Sequence, residues 1–268
     1  MNTAGQFGAL LRGWRQRRRL SQLEFACEAN ISSKHLSFLE TGRAQPSREM
    51  LLRLAEILDV PLRERNILLA AAGFAPEYPE RPLDHPALHA ARVAVEQVLN
   101  AHEPYPALAV DRYWSMVAAN RTVHALLADV APALLEPPIN VLRLSLHPQG
   151  LAPAIVNLSE WRAHLLARLR RQIDVCGDAK LGALYEELAA LPNPQAHAAP
   201  KTVDANAVVV PFRLSMQGHV LNFISTTTMF GTPVDITLSE LALECFYPAD
   251  EDTVAVLRQL AVRHVEGA

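Results

Sequence analysis

A run of cationic side chains near the amino terminus is the feature of this sequence that most directly suggests chemistry. Arg17–Arg19 are consecutive arginines, and Lys34 follows them. Guanidinium and ammonium groups bind phosphate oxygens, although such a run can equally be a solvated face. Residues 1–75 contain 11 Lys and Arg against 7 Asp and Glu, a net charge of +4, whereas residues 76–268 contain 14 against 21, a net charge of −7. The basic part is where we expect a DNA-binding module, with Arg17 among its phosphate contacts.

Patterns of the common catalytic and metal sites are missing from the sequence. It contains no GxSxG, HExxH, P-loop or GxGxxG motif. His85 and His89 have a spacing that could hold a metal on one helix face, but Pro86 puts His85 at a helix start, where a capping or solvent-facing role is favoured. The three cysteines form neither a disulfide framework nor a metal knuckle. We therefore expect no enzyme and no metal site.

Length and composition describe a soluble, globular chain with enough residues for two domains. The 268 residues are 50% hydrophobic and 20% charged, with a net charge of −3. No apolar run approaches the roughly 18 residues of a membrane helix. The first arginines follow the first apolar residues, which is the reverse of a secretory signal. We expect a cytoplasmic protein without a membrane partner.

Several short helices could position the cations. Apolar residues at helical spacing predict a first helix over about residues 5–18. Ser21 and Glu24 have the spacing of a capping box and predict the start of a second helix. Asn30 tolerates a left-handed turn, and Ser32 is the expected N-cap of a third helix. Two short helices joined by a tight turn are typical of a helix-turn-helix.

The third helix has an inward and an outward face. Leu36 and Leu39 predict the inward face. Lys34 on the other face can donate to guanine, and Phe38 either contacts a thymine methyl group or completes the small core. Gly42 is expected to end this helix, and two further helices are predicted up to Gly73. The outward positions are Ser33, Lys34, Ser37 and Phe38.

Proline marks the boundary between the basic and acidic parts. Four prolines lie between residues 76 and 86, so residues 76–86 predict a stiff, extended linker. The predicted domains are thus residues 1–75 and 87–268. In the second, helices are expected near 86–101, 119–128, 158–172, 178–190 and 251–263, and strands in AVVVPFRLSM, HVLNFISTTTMF and LALECFY, with Gln217 and Gly218 in a hairpin turn. Strands and helices together predict an α+β domain.

The amino-terminal motifs resemble a known family. SQxxFA followed by SxxHLSxLExGRxxPS resembles the Cro/phage-repressor type of helix-turn-helix, also called the XRE family. That resemblance implies phosphate contacts for Gln22 and Arg43. It also implies that Ser32, at the start of the reading helix, is among the DNA-binding residues and that Ser33, Lys34, Ser37 and Phe38 face base edges.

Nearly the whole chain is similar to a narrower family, the MmyB-like transcription regulators of bacteria. The similar segments include WSMVAAN, NVLRLSLHPQGLAPAIVNL and FGTPVDITLSELALECFYPADEDT. The resemblance implies a multidomain protein with an all-α, five-helix helix-turn-helix domain and an α+β, PAS-like ligand-binding domain. It further implies a buried fatty-acid-like ligand in place of a cofactor, and a homodimer on pseudo-palindromic double-stranded operator DNA.

A PAS-like domain that binds a hydrophobic ligand needs an apolar cavity with a few polar groups. An inward arginine would suggest a carboxylate partner, because an unpaired buried cation is costly. Asn157 can instead be the N-cap of the helix that begins at Leu158, and Arg143 can instead lie on a helix surface. The candidate ligand contacts are Trp114, Asn120, Leu142, Arg143, Leu146, Asn157, Leu165, Arg168, Phe212 and Phe223.

These inferences predict a ligand-controlled, sequence-specific DNA-binding transcription regulator. A DNA-binding antitoxin or adaptor, whose second domain binds a protein partner, would instead expose an apolar patch without a cavity. An enzyme with a DNA-targeting domain would show a pocket with two strongly perturbed titratable groups.

Overall fold

The structure is a computed structural model, and it describes residues 3–195, 210–231 and 233–266. The chain divides into two compact units. Among the described residues, the first unit comprises residues 3–81, 174–176 and 233–239, and the second comprises the remainder. The predicted combination of a helical domain and an α+β domain is confirmed.

The first unit contains the five predicted helices. Side-chain oxygens of Ser21, Ser32 and Ser47 accept hydrogen bonds at the starts of the second, third and fourth helices, because each serine has the extended backbone of an N-cap. Ser21 and Glu24 form the predicted capping box. The helices are α1 (Thr3–Arg17), α2 (Gln22–Glu28), α3 (Ser33–Glu40), α4 (Arg48–Ile57) and α5 (Leu62–Ala71).

Turn residues and core residues fix how α2 and α3 meet. Asn30 has a φ of 50° and Gly42 a φ of 71°, so both predicted turn positions adopt the left-handed conformation. Phe25 of α2 and Leu36 of α3 are fully buried in one core. Each side chain buried in this way stabilises the unit by about 1.5–3 kcal/mol.

The predicted linker is bound to α5 over part of its length. The Asn66 side chain accepts hydrogen bonds from the backbone N–H groups of Glu77 and Tyr78 and donates to the Tyr78 carbonyl at 2.7 Å. Arg63 forms two hydrogen bonds with the Glu80 carboxylate. Residues 77–81 therefore belong to the first unit, although they are neither helix nor strand.

The second unit is built on one antiparallel sheet in the order β2-β1-β5-β4-β3. Its strands are β1 (Ala107–Val110), β2 (Met116–Ala119), β3 (Phe212–Met216), β4 (His219–Met229) and β5 (Ala242–Pro248). Its helices are α6 (His89–Ala101), α7 (Arg121–Leu126), α8 (Val141–Leu146), α9 (Leu158–Cys176), α10 (Ala179–Ala190) and α12 (Glu251–Glu266). The last three residues of α9 and the short α11 (Ile236–Ser239) are grouped with the first unit.

Sequence patterns predict most of these elements. Gln217 and Gly218 have φ values of 49° and 82° and join β3 to β4 in the predicted hairpin. Residues 207–209 of the predicted first strand lie outside the described residues. The strands β1 and β2 and the helix α8 are missing from the prediction because four to six residues are too few to establish a period.

Candidate nucleic-acid interface and ligand cavity

The helix α3 presents polar and cationic side chains outside the first unit's core. Ser32 caps it by accepting a hydrogen bond from the His35 N–H at 3.1 Å. Leu36 and Leu39 are fully buried, as the inward face predicts. Ser33 and Lys34 are exposed, whereas Ser37 and Phe38 are half-buried. We define the α3 surface as Ser33, Lys34, Ser37, Phe38 and Arg43.

Two cations lie near the Phe38 ring on this surface. The Lys34 ammonium group is 5.8 Å from the centre of the Phe38 ring, and the Arg43 guanidinium carbon is 6.0 Å from it. These distances are typical of cation–π contacts, which hold flexible cationic chains near an aromatic face. The half-buried ring therefore lies near the surface cations and is partly exposed.

Gln22 has a partner within the protein. Its amide N–H donates to Glu40 Oε2 at 2.7 Å, and the same carboxylate accepts two hydrogen bonds from Arg15. The predicted phosphate contact of Gln22 can use only its remaining amide hydrogen. The structure thus gives Gln22 a role in joining α2 to the end of α3.

Arg17 and Arg18, two of the three consecutive arginines, have different environments. Arg17 is exposed, and its guanidinium carbon lies 4.7 Å from the centre of the Trp14 ring. Arg18 instead donates to the carbonyl oxygens of Leu58 and Asp59 at the carboxyl end of α4, at 2.7 and 2.6 Å. Arg17 therefore remains a candidate phosphate contact, whereas Arg18 stabilises a helix end.

An apolar cavity lies within the second unit, between α9 and the sheet. Its volume is about 100 Å³. A cavity that holds a single buried water needs roughly 10–15 Å³ when its volume is measured in the same way. Sixteen of the nineteen lining residues are apolar, and the others are Ser145, Arg168 and Glu244. A cavity of this composition suits a small molecule that is mostly hydrocarbon.

Six of the ten predicted ligand contacts line this cavity. Two of them lie on α9 and one lies on α8, and two others are on the neighbouring strands β3 and β4. The six are Trp114, Leu142, Leu165, Arg168, Phe212 and Phe223.

The other four predicted ligand contacts lie outside the cavity lining. Three of them form hydrogen bonds within the protein, and one is a core residue. Asn120 is buried and accepts hydrogen bonds from the N–H groups of Ala107 and Val123. Leu146 is a buried core residue. Arg143 pairs with Glu187 on the surface through two hydrogen bonds, and Asn157 donates to the Pro211 carbonyl and accepts from the Arg213 N–H.

Asn157 occupies the N-cap position of α9 without capping it through its side chain. Its ψ of 45° is not the extended conformation that aims a cap oxygen into the first turn. The side chain instead holds the segment before β3.

His85 is one of the two histidines whose spacing could hold a metal. It caps a short turn, because its ring nitrogen Nδ1 accepts a hydrogen bond from the Ala87 N–H at 3.1 Å.

Glu244 is a lining residue that sequence reasoning missed. It lies on the central strand β5, opposite Leu108 of β1 and Thr227 of β4, and is only 5% exposed. The signal in the sequence is a single carboxylate within the otherwise apolar strand LALECFY. A buried carboxylate requires a cationic or hydrogen-bonding partner, and Arg168 supplies it.

His164 lies one helical turn before Arg168 on α9. Burial lowers the pKa of His164, and the positive charges of Arg168 and Arg171 lower it further, against opposing effects of Glu244 and Glu160. The imidazole ring stacks on Trp161 with 5.4 Å between ring centres. The neutral form of His164 is therefore favoured beside the cavity.

Comparison with protein families decides the identity of both units. A family model described as MmyB-like transcription regulator ligand binding domain matches residues 91–260, and one described as helix-turn-helix domain matches residues 6–68. The chain belongs to the MmyB-like transcription regulators. The cavity-lining residues of this MmyB-like regulator lie within the first match, and the α3 surface lies within the second.

Solved structures similar to this MmyB-like regulator cover only part of it. Two are crystal structures of the clp gene regulator ClgR from Corynebacterium glutamicum. The first is 31% identical, and the match covers 26% of this chain and 90% of the ClgR chain. The second is 28% identical, and the match covers 38% of this chain and 95% of the ClgR chain. The TM-score is 0.24 for each. No curated protein matches the chain.

Within the described residues, no helix of the MmyB-like regulator is both long and apolar enough to cross a membrane. The same part of the chain holds no group of three or more His, Cys, Asp or Glu side chains placed to bind a metal ion. Both matched domains are those of a DNA-binding transcription regulator.

Proposed function

We propose that this MmyB-like regulator binds operator DNA sequence-specifically through the α3 surface, and that a small hydrophobic, fatty-acid-like ligand in the cavity controls that binding. The observation that carries the proposal is the joint presence of a capped α3 with outward cations in the first unit and an apolar cavity in the second. The protein would act as a homodimer on a pseudo-palindrome.

Several residues of the α3 surface, and Arg17 of α1, have counterparts in duplex DNA. The amino-terminal residues of a reading helix contact base edges, and Ser33 and Lys34 occupy that end of α3. Lys34 can donate to guanine O6 or N7, and the partly exposed Phe38 can contact a thymine methyl group. Arg17 and Arg43 are exposed cations that can neutralise phosphates.

A dimer explains how so small a surface could select one operator. Two copies of α3 would enter successive major grooves about 34 Å apart, doubling the base contacts. A ligand then changes DNA affinity only to the extent that it binds the DNA-competent and incompetent states differently.

Fluorescence anisotropy of a labelled duplex from the intergenic region upstream of the regulator's own gene tests this function. The titration is run without ligand and with decanoate, decanol or decanamide, and stoichiometry is read from analytical ultracentrifugation. We expect two protomers per duplex and a shift of the binding curve with at least one additive. Specific DNA binding that no additive alters would refute ligand control and leave the DNA-binding function intact.

A variant pair links the additive to the cavity. Leu165→Phe adds bulk to a side chain that lines the cavity, whereas Ala167→Phe adds bulk to an exposed position of the same helix. We expect Leu165→Phe to weaken the response to the additive and Ala167→Phe to preserve it. An equal response in both variants would place the additive elsewhere on the protein.

A further inference from the structure

The cavity has polar side chains at two separate places, Arg168 with Glu244 at one and Ser145 at the other. We propose that its ligand is a medium-chain fatty acid with a second oxygen, a hydroxyl or keto group, far along the chain from the carboxylate, and that Ser145 binds this oxygen. This inference rests on the proposed ligand control and specifies the chemical class of the ligand.

The lining residues of α9 give the direction of the cavity. Trp161, Leu165 and Arg168 follow one another at spacings of four and three residues, so they lie on one side of the helix. The seven-residue separation between Trp161 and Arg168 corresponds to about 10 Å along the helix axis, at about 1.5 Å per residue. The two ends of this row therefore mark two ends of the cavity.

The central strand β5 gives the same order. Glu244 and Phe246 are two residues apart and lie on one face of the sheet. Glu244 pairs with Arg168. The Phe246 ring centre instead lies 5.7 Å from that of Phe212, and the Phe212 ring centre lies 4.9 Å from that of Trp161. The helix and the strand thus agree in placing Arg168 and Trp161 at opposite ends.

The end at Arg168 suits the carboxylate of a fatty acid. Arg168 donates two hydrogen bonds to Glu244 and one to Thr227, so two of its five N–H groups remain for a head group. The Arg168 side chain is 24% exposed and Thr227 is exposed, so a carboxylate at this end keeps part of its hydration. Because Glu244 already offsets the charge of Arg168, this contact alone selects weakly among different acids.

Ser145 is the polar group at the buried end. Ser145 is 9% exposed and Trp161 4%. The Ser145 hydroxyl oxygen accepts a hydrogen bond from the Trp161 indole N–H at 3.1 Å, while its hydrogen has no acceptor among the described residues. The hydroxyl group is thus an available donor in an otherwise apolar wall. A buried donor without a partner is costly, and a ligand oxygen at this point removes the cost.

The separation of the two ends sets the position of the second oxygen. An extended alkyl chain advances about 1.25 Å per carbon, since its C–C bonds are about 1.5 Å long. A separation of about 10 Å therefore corresponds to roughly eight carbons. A hydroxyl group at the far end of decanoate can reach Ser145, whereas a hydroxyl group next to the carboxylate cannot.

Isothermal titration calorimetry with decanoate, β-hydroxydecanoate and ω-hydroxydecanoate at neutral pH tests the inference. The three compounds share the head group and the chain length, and they differ only in the second oxygen. In the wild-type protein we expect ω-hydroxydecanoate to bind at least about fivefold more tightly than decanoate, because it gives Ser145 an acceptor. We expect β-hydroxydecanoate to bind no more tightly than decanoate, within about twofold.

A double variant assigns the gain to Ser145. Ser145→Ala with Trp161→Phe removes the hydroxyl donor and also the indole N–H that could replace it. We expect ω-hydroxydecanoate and decanoate to bind this variant with affinities within about twofold of each other. Ser159→Ala is the matched control, because the Ser159 hydroxyl lies on α9 outside the cavity lining and forms hydrogen bonds with Asn193. It should keep the wild-type preference.

A more conservative variant serves if the double variant does not fold. Ser145→Cys keeps the shape of the side chain and replaces the hydroxyl group by a thiol, which is a weaker donor. It should lower the preference for ω-hydroxydecanoate over decanoate by at least about twofold.

The outcomes separate this inference from the function on which it rests. Wild-type protein that binds decanoate as tightly as ω-hydroxydecanoate would overturn the inference and preserve ligand control. A wild-type preference in the folded double variant, or in Ser145→Cys, would likewise overturn it. Failure of all three compounds to bind would count against ligand control itself and remove the inference with it.

Discussion

Arg15 and Glu40 form a buried ion pair that joins α1 to the last residue of α3. Two guanidinium N–H groups of Arg15 donate to the carboxylate at 2.6 and 3.0 Å, and the two side chains are 9% and 1% exposed. Gly8 allows the approach, because a Cβ atom there would lie 2.5 Å from the Leu39 and Glu40 carbonyl oxygens. The helix α3 is therefore held from its carboxyl end by a contact that sequence inspection did not identify.

Glu40→Gln should destabilise the first unit by about 3–5 kcal/mol, because it leaves the buried guanidinium group of Arg15 without its counter-charge. Urea unfolding monitored by amide hydrogen exchange in α1 and α3 measures the free energy of unfolding of this unit separately. Glu77→Gln is the matched control, since Glu77 pairs with Arg48 on the surface, and should cost less than about 1 kcal/mol. Similar midpoints for the two variants would argue against a structural role for the Arg15–Glu40 pair.

Asn120→Ala should destabilise the second unit by about 3 kcal/mol, because several buried backbone groups lose a partner at once. The side chain accepts from two N–H groups and donates to the carbonyl oxygens of Leu99 and Tyr105. The loss appears in urea unfolding of the protein without ligand. A ligand-contact role would instead weaken decanol binding while leaving the unfolding free energy unchanged.

Asn120 and Glu244 show where sequence reasoning stops. Short-range signals such as caps, left-handed turns and apolar periods depend on neighbouring residues, so Ser32, Asn30 and the outward position of Lys34 could be predicted. Asn120 contacts Ala107 and Leu99, which are 13 and 21 residues away in the sequence. Arg168 and Glu244 are separated by 76 residues. Contacts over such separations follow from strand order, which no local pattern specifies.

Stability of the second unit should fall as the pH decreases below about 6.5, in part because of His164. The folded state lowers the pKa of His164, so below that pH the unfolded chain binds a proton that the folded chain does not. Above the unfolded pKa both states are neutral, and His164 contributes no pH dependence. His164→Gln should therefore reduce the slope of the urea midpoint against pH.

NMR titration of the His164 ring gives the direct check of that shift. A His164 pKa at or above the ordinary value would contradict the expected direction. So would a stability profile that His164→Gln does not alter.

The double variant Lys34→Ala with Arg43→Ala tests whether the protein binds DNA through the α3 surface. Anisotropy titrations over a series of salt concentrations compare it with wild type and with Arg121→Ala, an exposed arginine of the second unit. We predict that the double variant loses about 1–3 kcal/mol or more of operator affinity and that its salt slope falls by about one, whereas Arg121→Ala matches wild type. Operator affinity and salt dependence equal to wild type in the double variant would contradict the account.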